Sequence, residues 1–487
     1  MIDTRRCAQW LVAASTCLAP GLAACTTDFE HYRFDRLRAS AAMGDASTTR
    51  DGDLEHAPEA AATADIVHAD AATLGRDEDL DGGERASMSV GAPRVQQLGS
   101  SADDFALGTA TDSRGNVYLV GVTEAAFEGH RHAGGKDTFL VKFTASGDKL
   151  WSLQFGTPGN DMPQGIALDH DGDVYVVGFT NRDLGSVSAG GADVFVTKFN
   201  PDGERQWMTQ QGSPDFDIAE ALAIDEAGDI YVVGRTEGEI AGRSAGGEDL
   251  FVLKYASDGS PVWRRQLGTV GRDRAYAVVT TTSAVFVAGF TTGALGDQHA
   301  GKQDAFLARY DTEGQLQWLR QFGSPEHDFA TSLAVDARGD VYLAGYTAGE
   351  LVGASQGNED LYVTKYSADG ERLWLRQFGT GAYEDMRGLT LDSTGHIYLS
   401  GTTYGALPGQ QNLGDADMLL AKLDPNGEPV WARQLGTGVS DEARALTLAG
   451  DGSVFIAGAT QGSIDGTANQ GKHDVVVAHY DAEGHRL

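Results

Sequence analysis

Trp318-Leu-Arg-Gln-Phe-Gly323 recurs as Trp374-Leu-Arg-Gln-Phe-Gly379, 56 residues further on. Outward from this pair, the same phrase opens at Trp151, Trp207, Trp263 and Trp431. Successive tryptophans stand 56, 56, 55, 56 and 57 residues apart. A seventh copy lies upstream as Arg94-Val-Gln-Gln-Leu-Gly99, with arginine in the tryptophan's place. A fixed period of this length marks one supersecondary unit repeated along the chain, so the architecture is read from the unit.

Each unit holds four short runs. In the second they are Trp151–Phe155, Gly165–Asp169, Asp173–Gly178 and Asp193–Phe199, rich in Val, Tyr and Phe and bounded by Gly, Asp and Asn. This is the composition of strands, and Asp169-His-Asp-Gly-Asp173 is a hairpin turn between two of them. Val-Tyr-Val-Val is apolar on both faces, as expected of a sheet sandwiched between two others. The pattern predicts an all-β, seven-bladed β-propeller of four-stranded antiparallel blades over 94–487. Its repeats are 94–150, 151–206, 207–262, 263–317, 318–373, 374–430 and 431–487. From axis to rim the expected order is Ala-Leu-Ala-Ile-Asp, Val-Tyr-Val-Val, Phe-Val-x-Lys, Trp-x-x-Gln. The last blade then lacks its rim strand and the first copy has an orphan, Arg94–Leu98, which can supply it and close the ring.

Asp-x-x-Gly-Asp-Val-Tyr-Val-Val-Gly and Gly-Gly-x-Asp-x-Phe-Val-x-Lys-Phe resemble the bacterial β-propeller repeats known as SBBP, found on exported and surface proteins, over 94–487. The Gly-x-x-x-Trp ending is also similar to quinoprotein-type propeller repeats, whose period is shorter. The resemblance implies a fold and a location, and no chemistry.

The N-terminus reads differently. Arg5-Arg6, an apolar stretch from Trp10 to Ala19, and Leu22-Ala-Ala-Cys25 form a signal peptide, 1–24. The stretch is too short to span a bilayer. Leu22–Cys25 resembles a lipoprotein lipobox, which implies lipidation of Cys25; Thr26 after it implies the outer membrane, on the periplasmic or the surface side. Residues 25–93 are rich in Ala and acidic groups and poor in apolar ones, a composition expected to stay disordered as a tether spanning about 45 Å. Within it Asp77-Glu-Asp-Leu-Asp-Gly82 matches half an EF-hand loop, but Met88 stands where glutamate is needed.

The chain carries a formal charge of −33, which excludes nucleic acid and anionic membrane surfaces as partners and leaves the lipid as its membrane contact. All three cysteines lie within the first 25 residues, so the repeats have no disulfide framework.

Two acidic rows recur. Asp137, Asp193, Asp249, Asp304, Asp360, Asp417 and Asp474 open the third strand, with Lys142, Lys198, Lys254, Arg309, Lys365, Lys422 and His479 five residues on. Aspartate and cation are expected to meet across neighbouring blades as a polar girdle. Asp104, Asp161, Asp217, Asp273, Asp328, Glu384 and Asp441 precede the innermost strand. They either ring a cation at the channel mouth or accept backbone N–H bonds in their own loops. Asp169, Asp171 and Asp173 form the turn most like a calcium site, and calcium is the one cofactor the sequence leaves open.

Long loops between second and third strands share one face and vary most between copies: 123–135, 181–192, 236–248, 291–303, 347–359, 403–416 and 461–473. Binding is expected there. Phe127 and Tyr404 are its candidate exposed aromatics, with His130 and His132 beside the first. Gly242-Arg-Ser-Ala-Gly246 fits a nucleophile elbow but no helix follows, and no catalytic constellation emerges. The sequence therefore reads as a monomeric, lipid-anchored, non-catalytic binding or adhesion module of the cell envelope, its partner a protein or a glycan. An envelope-assembly scaffold and a glycan-active enzyme are the alternatives.

Overall fold

The computed structural model describes residues 62–63 and 95–487, except 297 and 298. The signal peptide, Cys25, the EF-hand-like stretch and the rest of the tether apart from 62–63 lie outside the described residues.

Seven four-stranded antiparallel sheets follow one another around an axis, and Ala62–Thr63 adds a short parallel strand to Ala221–Leu222 of the third. In the second blade, Asp161–Leu168 is innermost, then Val174–Thr180, Asp193–Phe199 and the outer Arg205–Gln211. Innermost strands pack each against the next, and the last, Asp441–Leu448, packs back on the first, Asp104–Thr111. The ring closes as the orphan strand requires: Val95–Leu98 pairs antiparallel with Val475–Ala478 as the seventh blade's outer strand. Second and third strands are almost wholly buried, since each blade lies between two others, whereas outer strands are half-exposed. That burial is why these strands carry apolar residues on both faces.

Blades are stitched by the tryptophans. Trp207 meets Tyr175 of its own blade edge-on at 6.0 Å, and its indole N–H donates to the Ser257 carbonyl of the next blade at 3.2 Å. Its ring lies under Gly259, where φ is +83° and an added Cβ would sit 2.9 Å from the indole. Left-handed backbone and close approach both require glycine there, which accounts for the glycine of Gly-x-x-x-Trp. At the closing seam Arg94 stands in the tryptophan's place in sequence. Gln96 there donates to the Gly147 carbonyl at 2.8 Å, beside a cavity of about 20 Å³ lined by Phe143, Phe455 and His479.

The expected girdle does not form. Five residues at about 3.3 Å each put aspartate and lysine at opposite ends of the third strand. Lysines instead join second-strand tyrosines and hairpin aspartates: Lys198 lies 4.8 Å over the Tyr175 ring, 3.3 Å from Asp169 and 2.8 Å from Asp173. Tyr175 donates to Asp169 at 3.0 Å. In blades four and seven all three members change together, to Thr281, Phe286 and Arg309, and to Ala449, Phe455 and His479. Without the phenol, the carboxylate it bonds and the ammonium above it lose their purpose.

The aspartates bond glutamines of the adjacent outer strand. Gln154 Nε2 donates to Asp137 Oδ2 at 2.8 Å, Gln210 to Asp193 at 2.8 Å and Gln321 to Asp304 at 2.9 Å. Gln97 of the orphan strand donates to Asp474 at 2.9 Å and to the Gly462 carbonyl at 3.1 Å, and accepts from the Ile464 N–H at 3.1 Å. Gln97→Leu is expected to lower the unfolding free energy by about 1–3 kcal/mol for each buried partner it orphans. Gln206→Leu, on an exposed side chain, should fall within about 0.5 kcal/mol of wild type in the same urea titration.

Candidate binding surface at the channel mouth

The same glutamines hold the long loops. Gln154 Oε1 accepts the Phe127 N–H at 2.9 Å while its amide donates to the Ala125 carbonyl at 3.0 Å. Gln210 treats Leu184 and Arg182 likewise, and Gln377 treats Leu351 and Gly349. Each loop is thus fixed at its apolar residue, and that residue turns inward.

Phe127 is the first blade's version of this anchor. It is fully buried, stacked on Phe139 with ring centroids 4.1 Å apart, and cannot meet a ligand. Ile240, Leu407 and Ile464 are buried in equivalent places. The sequence expectation fails there because the anchor position varies in residue type while keeping its apolar character. His130 Nε2 lies 2.9 Å from the Ser152 hydroxyl, and His132 Nδ1 lies 3.5 Å from Asp137 Oδ2. The two face separate partners and share no site. Tyr404 is half-buried, but sits edge-on at 6.3 Å to Tyr383, which is 41% exposed in the loop entering the sixth blade.

The acidic row before each innermost strand accepts hydrogen bonds from its own loop. Asp161 takes the Thr157 N–H at 2.5 Å, the Thr157 hydroxyl at 2.9 Å and the Thr180 hydroxyl at 2.6 Å. All seven carboxylates are inaccessible to solvent, so they are walls of the ring and do not line its mouth. In the calcium-like turn, Asp169 accepts the Asp171 and Asp173 N–H groups at 3.1 and 2.9 Å while Lys198 faces both Asp169 and Asp173.

What differs between blades gathers on the long-loop face. The second residue of the innermost strand is Phe105, Met162, Ile218, Arg274, Phe329, Asp385 and Glu442; the fourth is Leu107, Gln164, Glu220, Tyr276, Thr331, Arg387 and Arg444. In blades three and four this yields a connected ionic cluster. Arg235 pairs with Glu220 and lies 3.7 Å from Glu248, which receives Arg274 through two bonds of 2.6 and 2.9 Å. Arg274 is 5% exposed and its Nη1 is buried without a partner. Burial, then the neighbouring Glu248, pushes the Glu237 carboxyl up. Blades six and seven pair Arg387 with Asp385 at 2.6 Å and Arg444 with Glu442 at 2.9 Å. Around them exposed apolar side chains rise from the loops: Val187, Phe216, Val270, Val352, Tyr383 and Leu413. Sequence reasoning missed Glu220, Arg235, Glu248, Arg274 and Tyr383. Their signal was present as the columns of the repeat that change, whereas attention fell on the columns that recur.

The β-propeller repeat family SBBP matches residues 150–185, 206–240 and 317–351, each running from an outer strand into the next blade. The chain thus carries SBBP repeats on a seven-bladed propeller. It is 24% identical over 392 residues to the regulatory protein FlaEY of Caulobacter vibrioides, covering 70% of this chain and 40% of that relative. Among solved structures it is similar to an ulvan lyase, at 13% identity and a TM-score of 0.46, covering 80% of this chain and 97% of that one. A puromycin hydrolase gives 15% identity and a TM-score of 0.47, covering 80% and 54%.

Phe127→Ala should remove about 3–5 kcal/mol of stability, the cost of emptying a buried aromatic site. Tyr383→Ala should change it by less than about 0.5 kcal/mol, as a surface position does. Denaturant midpoints of the two variants check the assignment of anchor and surface.

Proposed function

We propose that this propeller is a non-catalytic binding module held to the cell envelope through a lipid on Cys25, and that it recognises its partner on the long-loop face. One observation supports the reading above others. Across seven blades the stitching tryptophans, loop-holding glutamines and buried aspartates recur with few changes, while the variable positions collect at one end of the channel. A rigid scaffold with variable loops is the arrangement that binding sites use. Tyr383 and Tyr404 offer an aromatic ledge; Glu359 bridges to Tyr383 through the backbone, and the paired Asp385 follows two residues on. Aromatic faces next to fixed polar groups suit the apolar side of a sugar ring and its hydroxyls, so a surface glycan is the ligand class this ledge favours.

The full chain, screened against envelope glycans and extracts, should bind a glycan with affinity that falls at least tenfold in a Tyr383→Ala, Tyr404→Ala double variant of unchanged melting temperature. Binding indifferent to every substitution on this face would overturn the reading, and turnover of a bound glycan would make the protein an enzyme. Cys25→Ser should move the protein from membrane to soluble fractions and abolish incorporation of labelled fatty acid.

A further inference from the structure

At each of the seven seams between blades two buried carboxylates converge: Asp474 with Asp104, Asp137 with Asp161, Asp193 with Asp217, Asp249 with Asp273, Asp304 with Asp328, Asp360 with Glu384, and Asp417 with Asp441. None is more than 1% exposed. Glycines report how close they come. A Cβ at Gly156 would stand 2.3 Å from Asp137 Oδ1 and 3.1 Å from Asp161 Oδ2. At Gly323 the distances are 2.7 Å to Asp304 Oδ1 and 2.9 Å to Asp328 Oδ2, and at Gly379 they are 2.4 Å to Asp360 Oδ1 and 2.7 Å to Glu384 Oε2. Any side chain there would drive between the two acids.

Donors are shared unequally. The innermost-strand acid is bonded by hydroxyls and a backbone N–H of its own blade. On the third-strand aspartate, Oδ2 receives the glutamine amide and a loop N–H, such as that of Ala189 at 2.8 Å for Asp193. Its Oδ1 is buried without a partner in six seams, at Asp137, Asp193, Asp249, Asp360, Asp417 and Asp474. In the seventh, Asp304 Oδ1 accepts the Gly301 N–H at 3.0 Å. Among the described residues no lysine or arginine pairs with any of these acids. The imidazoles beside them are His132, 3.5 Å from Asp137 Oδ2, and His299, 3.2 Å from Asp304 Oδ2; the Tyr362 phenol lies near Asp328.

We propose that each seam is a proton-binding site, in which the two facing carboxylates share a single hydrogen between them. Two carboxylates that both remain ionised at this range and burial are strongly disfavoured, and one proton relieves repulsion and the orphaned acceptor together. A metal fits less well, because no group of three or more His, Cys, Asp or Glu side chains able to hold one occurs among the described residues. In the Asp304 seam both oxygens of both acids already accept bonds, and there the Asp328 carboxyl is pushed up to about 6 by burial above all, with Asp304 adding to it.

The sign follows from linkage. Above the usual carboxylate range the unfolded chain releases protons that the folded ring keeps. This contribution is full in acid and is lost as pH rises through the raised carboxyls of the folded ring, at about 6 for Asp328, so neutral conditions weaken the seams.

Infrared spectra of the full chain near pH 5 should show the carbonyl stretch of buried, protonated carboxylic acids. The band should shrink stepwise in Asp193→Asn, Asp249→Asn and Asp360→Asn, since the amide keeps the donor without the charge. Melting temperature should fall between about pH 5 and about pH 8 in wild type and less steeply in the triple variant. Absence of the band would overturn the proposal. So would a melting temperature raised by calcium in wild type and unresponsive to it in the variant, which would make the seams cation sites. If the triple variant does not fold, the wild-type band and its loss on raising pH decide the matter, and Asp249→Asn alone tests a single seam.

Discussion

Gln97 donates to Asp474 across 377 residues of sequence, and the ring depends on that bond and its six counterparts. In every blade the outer-strand glutamine ties the last strand to the third, takes the N–H of the long loop, and gives its amide to that loop's carbonyl. One side chain therefore sets strand pairing, loop conformation and the orientation of a buried aspartate at once. A closed β-ring leaves no terminal blade to cap, so it must be joined by residues far apart in sequence. This propeller achieves that by giving the first segment the same glutamine that serves within each blade.

The scaffold is repetitive because its contacts are nearest-neighbour contacts. Each tryptophan covers a turn glycine of the following blade, each lysine caps a tyrosine–aspartate pair of its own blade, and each innermost carboxylate faces an aspartate of the blade before. Where a member of such a set is missing, the others change with it. Blades four and seven abandon tyrosine, hairpin aspartate and lysine together, and the closing seam substitutes Gln96 for the tryptophan contact beside a small cavity. These sets behave as units, so a single member would be costly to keep alone.

Against that background, residues outside the sets stand out. Glu220, Arg235, Glu248 and Arg274 make a chain of ion pairs between blades three and four. Tyr383 and Tyr404 form an aromatic pair absent from sister loops. A buried guanidinium with one unpartnered nitrogen is expensive unless something else is served, and its position at the end of the channel is where a propeller presents variable chemistry on a rigid frame.

Blade number, strand order from axis to rim and the closing strand were legible in the sequence by itself. The reason is physical: a four-stranded antiparallel blade is built from consecutive residues, so its strands, turns and period appear as local pattern, and an orphan strand at one end matches a missing one at the other. Which recurring side chains meet was decided only by the tertiary structure. The aspartate and lysine rows looked like partners at an offset of five, but strand rise carries them to opposite faces of the ring, and the aspartates find glutamines and a neighbouring blade's carboxylates instead. Phe127 looked like an exposed aromatic, yet the loop's bond to Gln154 turns it inward. Contacts across blades depend on register, stacking and loop anchoring, none of which is written in sequence spacing.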